Sequence, residues 1–246
     1  MHITISHNVP YTGDASTAQL LDIYKPDNPS PTPTVLLWHG SGTNEKHVLA
    51  PLARTAAGLG ATIVVPDWRP EAADRGKNDL LASLRYVREH ASHFAGSSNT
   101  IVLAGWSAGA GAAVALALDH HACNGWQPSA AVGIAGRYDV PSRTTGTAPL
   151  TSVSKASPLP SVPIRLIHGS ADTIVPSSHS TDLLNALHHA GHTANYVALP
   201  TDHAGVVMTE YDPTANTCVP ARSPQAQDAG RRTAHILLET AAAAAA

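Results

Sequence analysis

The chain has 246 residues, of which 43% are hydrophobic and 13% are charged, and its formal net charge is -3. This composition provides enough apolar sequence for one substantial core. The 15 basic and 18 acidic residues form no basic cluster, which disfavours a nucleic-acid partner. The longest nearly apolar run, from Ala108 to Leu118, is well short of the roughly 20 residues that span a bilayer.

The N-terminal residues contain neither the basic segment nor the apolar segment of a secretory signal, which predicts a cytoplasmic location. A secreted location stays open, because a leader could precede residue 1. The two cysteines, Cys123 and Cys218, are too few for a disulfide framework or a four-thiolate zinc site. A single bridge between them and a pair of free thiols both stay open at this point.

From residue 18 onward, short runs rich in β-branched residues alternate with stretches of helical periodicity. This alternation predicts an α/β fold with a mostly parallel sheet whose strands are joined by helices. The predicted strands cover residues 18–24, 34–38, 61–66, 100–104, 130–135, 163–168 and 194–199. The predicted helices cover residues 47–59, 78–90, 108–118, 178–190 and 230–246.

Neither an internal repeat nor a change in composition marks a second domain, so the sequence predicts one domain over residues 1–246. Three parts fall outside the regular alternation: an N-terminal segment over 1–17, a long loop over 204–229 and a polyalanine tail over 241–246. Loops as long as the one over 204–229 are uncommon in compact domains and are usually functional or disordered.

The sharpest motif is Gly105-Trp106-Ser107-Ala108-Gly109, a G-x-S-x-G pattern at the point where a predicted strand turns directly into a helix. Such a turn holds a serine hydroxyl exposed above the strand end, and glycine at both flanks avoids clashes with the neighbouring strand and helix. The pattern can arise by chance in a chain rich in glycine and alanine. The strand before it and the helix after it, however, are the context that a nucleophile elbow requires, so Ser107 is the candidate nucleophile.

A serine hydroxyl needs a base to take its proton, and the base needs a carboxylate to orient it. In folds with this elbow, the chain order is Ser, then Asp or Glu, then His. Asp172 and His203 follow two successive predicted strands after Ser107, so both are expected at the sheet edge where Ser107 lies. Asp139 is the alternative acid, and Asp202 is interpreted as a solvated turn residue or a loop cap. The following histidines are interpreted as structural: His120, His121, His168, His188, His189 and His192.

The tetrahedral intermediate of such a reaction needs two backbone N–H donors, which form an oxyanion hole. Ala108, directly after the nucleophile, is expected to supply one, and Ser41 or Gly42 the other. The glycine-rich loop that contains Ser41 and Gly42 could instead bind phosphate. Neither G-x-x-x-x-G-K-[ST] nor G-x-G-x-x-G occurs in the chain, which argues against that alternative.

Three tryptophans, Trp38, Trp68 and Trp106, lie close to predicted loops of the same sheet edge. We interpret them as candidates to line a substrate pocket, with packing in the core as the alternative. No H-E-x-x-H motif is present. The sequence therefore predicts chemistry without a metal or cofactor.

With these residues, the chain resembles the α/β-hydrolase superfamily over about residues 21–234, and within it the small carboxylesterases and acyl hydrolases. Residues 39–42, His-Gly-Ser-Gly, are similar to the HGGG oxyanion motif, with Ser41 in place of a glycine. Residues 67–71, Asp-Trp-Arg-Pro-Glu, are similar to the YRLAPE segment of hormone-sensitive-lipase-like esterases. Residues 168–176 are similar to the HG-x-x-D-x-x-V-P segment that bears the acid.

The resemblance implies an α/β-hydrolase fold without a large lid. If Cys123 pairs with Cys218, the bridge would tie the loop over 204–229 to the end of the helix that follows Ser107. The implied activity is that of a serine esterase that forms an acyl-enzyme on small or short-chain acyl esters, with a small-molecule ester as its partner. A peptidase or amidase on the same fold and a catalytically silent hydrolase-like binding protein are the alternatives.

Overall fold

The computed structural model describes residues 1–13, 18–27, 30–94, 96–119, 121–123, 125–155 and 158–245. The strands are β1 (Ile3–Pro10), β2 (Leu20–Pro26), β3 (Thr32–Trp38), β4 (Thr62–Pro66), β5 (Gly96–Trp106), β6 (Ala130–Ile134), β7 (Ile164–Gly169), β8 (Ala194–Leu199), β9 (Thr209–Asp212) and β10 (Thr217–Pro220). The α-helices are α1 (Ala50–Leu59), α2 (Lys77–His90), α3 (Ala108–Leu118), α4 (Pro149–Lys155), α5 (Ser178–His189) and α6 (Pro224–Ala245). Short 3₁₀ turns cover Lys46–Leu49, Ala91–Phe94 and Gly205–Val207.

An eight-stranded sheet in the order β1-β2-β4-β3-β5-β6-β7-β8 forms the centre of the molecule. Strands β1 and β2 pair antiparallel, as do β2 and β4, and all pairs from β4 to β8 are parallel. The predicted mostly parallel sheet with helical connections is therefore confirmed. Strands β9 and β10 form a separate antiparallel pair.

The strand order reverses between β3 and β5, which lie side by side although β4 separates them in the sequence. In an open parallel sheet, the chains that leave two such strands diverge to opposite faces and open a crevice at the carboxyl ends. The loop after β3 begins at His39 and the turn after β5 is Ser107. The topology thus brings the two best sequence motifs to one crevice.

Helices cover both faces of the sheet because side chains of the central strands point alternately to either side. Val35 and Leu37 pack in a cluster with residues of α1 and α6. Leu36 and Trp38 pack on the opposite face with residues of α2 and α3. The continuous apolar pattern of β3 is therefore the pattern of a strand that is buried on both faces.

Helix α3 lies closer to the sheet than larger side chains would permit. Nearly all of its residues are buried, and most are alanine or glycine. A Cβ atom on Gly109 would lie 2.5 Å from the carbonyl oxygens of both Trp38 and His39. This contact requires glycine, and it places the N-terminus of α3 directly beside the end of β3.

The predicted long loop over 204–229 is wrong in most of its length, because it contains the β9–β10 pair and the start of α6. Prolines at 213 and 220 are atypical of strands, so the sequence does not predict these short strands. The start of α6 is missed because its first turns are polar and lack an apolar stripe. The N-terminal segment likewise contains β1, an edge strand. In the polyalanine tail, Ala241 is fully buried within α6, whereas residue 246 lies outside the described residues.

Both cysteines are free, so a bridge between Cys123 and Cys218 is absent. Cys123 packs against the cluster formed by α2 and α3, whereas Cys218 packs against the cluster formed by α1 and α6. The sheet lies between these two clusters. A bond between the two sulfur atoms is therefore excluded by the fold, and each thiol has a pKa that burial raises above its usual value.

The end of β3 is held by His39, which is fully buried. Its Nδ1 lies 3.0 Å from the Gly40 carbonyl oxygen, and its Nε2 accepts a hydrogen bond from the Trp68 backbone N–H at 3.2 Å. The His39 and Trp68 rings stack with centroids 5.3 Å apart. Burial lowers the pKa of His39 to about 3, so the imidazole is neutral, as its acceptor role requires.

We expect His39 to make the protein sensitive to acid. Between pH 6.5 and about 3, the unfolded chain protonates His39 and the folded chain does not, so the free energy of unfolding falls as the pH falls. In this range, the free energy of unfolding falls by up to about 1.4 kcal/mol for each pH unit of acidification. Urea unfolding of wild type and His39→Gln from pH 7 to pH 4.5 measures it. The variant should be less stable at pH 7 but lose less stability on acidification, and parallel pH profiles would contradict this assignment.

Two glycine substitutions should have opposite effects on stability. Gly58→Ala adds a Cβ atom in the last turn of α1, where no atom other than the adjacent helix backbone lies within 4 Å, and should stabilise the protein by about 0.5–1 kcal/mol. Gly109→Ala should destabilise it by about 1–3 kcal/mol, since the new atom overlaps two carbonyl oxygens. Urea midpoints measure both changes. A neutral Gly109→Ala would show that α3 can move away from the sheet without cost.

Candidate active site

Ser107 occupies the sharp turn that connects β5 to α3. Its backbone has φ 56° and ψ -117°, a conformation that costs a non-glycine residue about 1–3 kcal/mol. The Ser107 N–H bonds to the Ile134 carbonyl oxygen at 2.9 Å, and the Ala110 N–H bonds to the Ser107 carbonyl oxygen at 3.1 Å. A Cβ atom on Gly105 would lie 2.1 Å from the Gly109 oxygen. The G-x-S-x-G sequence therefore forms the strained strand-turn-helix predicted for it.

Asp172 lies in the loop after β7, with a fully buried carboxylate. Its Oδ1 accepts the backbone N–H groups of Ile174 and Val175 at 2.9 and 2.8 Å. Its Oδ2 lies 2.7 Å from His203 Nδ1. Burial would raise the pKa of Asp172, but hydrogen bonds from His168, His203 and the Val175 N–H outweigh it and hold that pKa well below its usual range. The carboxylate is therefore ionised and directed at the imidazole.

His203 lies in the turn that follows β8, and Trp106 fixes its position. The Trp106 indole N–H donates to the His203 carbonyl oxygen at 2.9 Å, and the two ring centroids lie 5.1 Å apart. Trp106 directly precedes Ser107, so this contact joins the histidine turn to the elbow. Within the described residues, no hydrogen bond of 3.5 Å or less links Ser107 Oγ to His203. Such contacts are often long in enzymes without substrate.

His168 supports the loop after β7 that carries Asp172, here called the acid loop, which is a role that the sequence reasoning missed. The side chain is fully buried at the end of β7. Its Nδ1 lies 2.7 Å from Ser180 Oγ, and its Nε2 lies 2.8 Å from the Val175 carbonyl oxygen and 3.2 Å from Asp172 Oδ2. The H-G-x-x-D spacing in the sequence was the available signal, because it places the histidine beside the acid.

The loop after β3 reaches the elbow through Ser41. Ser41, Ser107 and Ala108 line one cavity of about 320 Å³. The Ala108 N–H lies in the first turn of α3, where a helix has no internal acceptor for it. The Glu45 carboxylate packs against Gly42, where an added Cβ atom would overlap its oxygens, and Gly42 is absent from the lining of this cavity.

A second cavity, of about 400 Å³, lies beside the histidine. His203 lines it together with apolar groups of the acid loop and of the β9–β10 pair, among them Ile174, Tyr211 and Cys218. Ile174 and Tyr211 are the most exposed large hydrophobic side chains after Met1 in the part of the chain that the structure describes. The segment predicted as a loop thus contributes an apolar wall next to His203.

The predicted substrate-binding role of Trp38 and Trp68 is wrong, because both side chains are fully buried in the core. The Trp38 indole N–H donates to Ser83 Oγ at 3.0 Å, and Trp68 stacks on His39. Trp106 is also mostly buried and contacts His203 rather than a cavity. None of the three tryptophans is among the residues that line the cavity shared by Ser41 and Ser107.

The alternative acid, Asp139, is directed away from His203. Its carboxylate bonds to Arg137 at 2.8 Å and lies 3.4 Å from His179 Nδ1.

Asp202 accepts the Gly205 backbone N–H at 2.8 Å, which is the capping role expected of it. Three of the other histidines bond to backbone carbonyl oxygens, as structural residues do: His188, His189 and His192. His120 lies outside the described residues.

In the described part of the chain, no group of three or more His, Cys, Asp or Glu side chains is arranged to hold a metal ion. Among the helices that the structure describes, none combines the length and the apolar character needed to cross a membrane.

Several solved structures share this architecture at low sequence identity. An esterase of the planctomycete Thermogutta terrifontis, solved with propionate bound, superposes with a TM-score of 0.71 at 19% identity, over 94% of this chain and 92% of that one. The same esterase phosphorylated by paraoxon gives a TM-score of 0.72 at 20% identity, over 96% and 92%. A truncated carbohydrate esterase from gut microbiota gives a TM-score of 0.70 at 18% identity, over 97% and 96%.

A comparison with curated protein sequences found no match. A family model described as the alpha/beta hydrolase fold matches residues 37–235, which include the loop after β3, the elbow, Asp172 and His203. This match covers most of the chain, and the sheet order, the crevice and the strained serine turn agree with it. The chain therefore belongs to the alpha/beta hydrolase fold family.

Proposed function

We propose that this protein is a serine carboxylesterase that hydrolyses small or short-chain acyl esters through an acyl-enzyme. The observation that carries the proposal is the buried Asp172–His203 pair, at 2.7 Å, held by Trp106 beside the strained Ser107 turn. A nucleophile, a base and an orienting acid at one strand edge are the parts that this chemistry needs.

In the proposed acylation step, His203 takes the proton of Ser107 as the hydroxyl oxygen attacks the ester carbonyl carbon. Nδ1 of His203 is occupied by Asp172, so Nε2 is the nitrogen that accepts the proton. The ionised carboxylate of Asp172 stabilises the imidazolium that forms. The imidazolium then protonates the departing alcohol, which leaves the acyl group on Ser107.

We assign the oxyanion hole to the backbone N–H groups of Ala108 and Ser41. The first belongs to the N-terminal turn of α3, where the helix dipole also favours negative charge. Ser41 is preferred over Gly42 because Ser41 lines the cavity beside Ser107, whereas Gly42 does not. Water activated by His203 then attacks the acyl carbon, and the same two donors stabilise the second tetrahedral intermediate.

The size of the cavities supports a small substrate. The cavity beside Ser107 measures about 320 Å³, near the lower end of ligand pockets. Between β6 and β7, the described residues contain one short helix, α4, so a large lid is absent from that part. The esterase names of similar structures, one of them with propionate bound, support the same class of reaction.

Replacement of Ser107 by alanine should abolish ester hydrolysis. We expect Ser107→Ala to lower kcat by about 10⁴-fold or more on p-nitrophenyl acetate, and wild type to prefer acetyl and butyryl esters over octanoyl esters. Labelling with a fluorophosphonate should occur in wild type and be lost in the variant. Ser154→Ala, at an exposed serine of α4, is the matched control.

Undiminished turnover by Ser107→Ala would exclude the proposed nucleophile. Hydrolysis of peptide but not ester substrates would identify a peptidase, and a wild type that neither turns over substrate nor reacts with the probe would identify a silent binding protein.

The oxyanion assignment predicts that position 41 acts through its backbone. Ser41→Ala keeps the N–H and should change kcat by less than about threefold, whereas Ser41→Pro removes it and should lower kcat by about 10²–10³-fold. Circular dichroism and thermal melting establish that each variant is folded. Equal activity of the two variants would show that another group supplies the second donor.

A further inference from the structure

The cavity beside Ser107 is lined by three arginines that the proposed mechanism does not use. Arg75 precedes α2, and Arg137 and Arg143 come from the segment between β6 and α4. Two distant parts of the chain therefore converge on this cavity with the same charge. The remainder of the lining contains no carboxylate.

Among the described residues, an acidic partner is present for only one of these three arginines. Arg137 forms a two-point contact with Asp139 at 2.8 and 3.2 Å. Within the part of the chain that the structure describes, neither Arg75 nor Arg143 lies within 4.0 Å of a carboxylate oxygen. By contrast, Lys46 and Arg69, which also lie near this edge, are paired with Asp67 and Asp79.

Of the two arginines without a carboxylate partner, Arg143 is the less favourably placed, because Arg75 is exposed to solvent. Arg143 is partly buried, and burial together with the nearby charge of Arg75 lowers the pKa of its guanidinium. The remaining contact of Arg143 is a long one, 3.5 Å from Nη1 to the Pro70 carbonyl oxygen. An anion between the two groups would relieve their repulsion and fill their donor positions.

We propose that Arg75 and Arg143 bind an anionic group of the substrate, so that the preferred esters carry a carboxylate or phosphate close to the scissile bond. The proposal rests on the proposed esterase function and specifies its substrate class. Guanidinium groups match the planar oxygen pairs of carboxylate and phosphate. The apolar cavity beside His203 accommodates the uncharged half of the ester.

Matched ester pairs that differ only in charge test this proposal. On the acyl side, monomethyl esters of succinate, glutarate and adipate are compared with the corresponding methyl ester amides, which have nearly the same shape. On the alcohol side, 4-acetoxybutanoate is compared with 4-acetoxybutanamide. A phosphate-bearing methyl ester of similar length distinguishes the two anions. Proton release or methanol release gives kcat/KM for each compound.

We expect wild type to prefer at least one anionic ester over its amide by about 10-fold or more in kcat/KM. Arg75→Gln and Arg143→Gln should each reduce this preference by about fivefold or more, with neutral esters changed less than twofold. Arg85→Gln, at an exposed arginine of α2 outside the cavity, is the matched control and should retain the preference. Equal rates for every acid–amide pair, or a preference that survives in both variants, would overturn the proposal.

A binding measurement keeps this result separate from the test of the esterase function. Calorimetric titration with glutarate, inorganic phosphate and glutaramide requires no turnover, and Ser107→Ala serves as well as wild type. Binding of either anion but not of the amide, weakened in Arg75→Gln and Arg143→Gln, would support the anion site even if ester hydrolysis failed. Ser107-dependent hydrolysis of neutral esters without anion preference or anion binding would leave the esterase function intact and reject the site.

Discussion

The close approach of α3 to the end of β3 is the contact on which the rest of the site depends. Glycine is needed at 105 and 109, because a Cβ atom at either position would overlap the backbone of the neighbouring segment. The strained turn at Ser107 follows, since β5 must pass into α3 without an intervening loop. This geometry raises the serine above the sheet and places the free N–H groups of α3 beneath it. Tight packing of the helix thus serves both stability and the proposed chemistry.

The loops around Ser107 are held by polar contacts at the same edge of the sheet. His39 is kept neutral by burial and bonds to the backbone at Trp68, which ties the loop after β3 to the loop after β4. Trp106 ties the histidine turn to the elbow, and His168 supports the acid loop. Each contact joins chain segments that leave neighbouring strands, so the site is positioned by the sheet rather than by any one loop.

Charge is distributed unevenly over this edge. The buried carboxylate of Asp172 is compensated by backbone N–H groups and by two histidines. Lys46 is compensated by Asp67. Burial of a charge is costly unless a partner or hydrogen bonds offset it. The partly buried Arg143, which has no carboxylate partner among the described residues and lies near the like charge of Arg75, therefore distinguishes the cavity beside Ser107 from its surroundings. In the proposed anion site, a neutral ester would leave that cost in place, whereas an anionic ester would offset it.

The sequence by itself determined the alternation of strands and helices, the elbow and the chain order of the candidate nucleophile, acid and histidine. These features depend on neighbouring residues or on strand-end positions that a parallel sheet brings to one edge. Only the tertiary structure decided the burial of Trp38 and Trp68, the separation of Cys123 from Cys218 by the sheet, and the convergence of Arg75 with Arg143. The physical reason is that contacts between distant segments depend on how far each crossover carries the chain and on which face it packs. Local periodicity contains neither quantity.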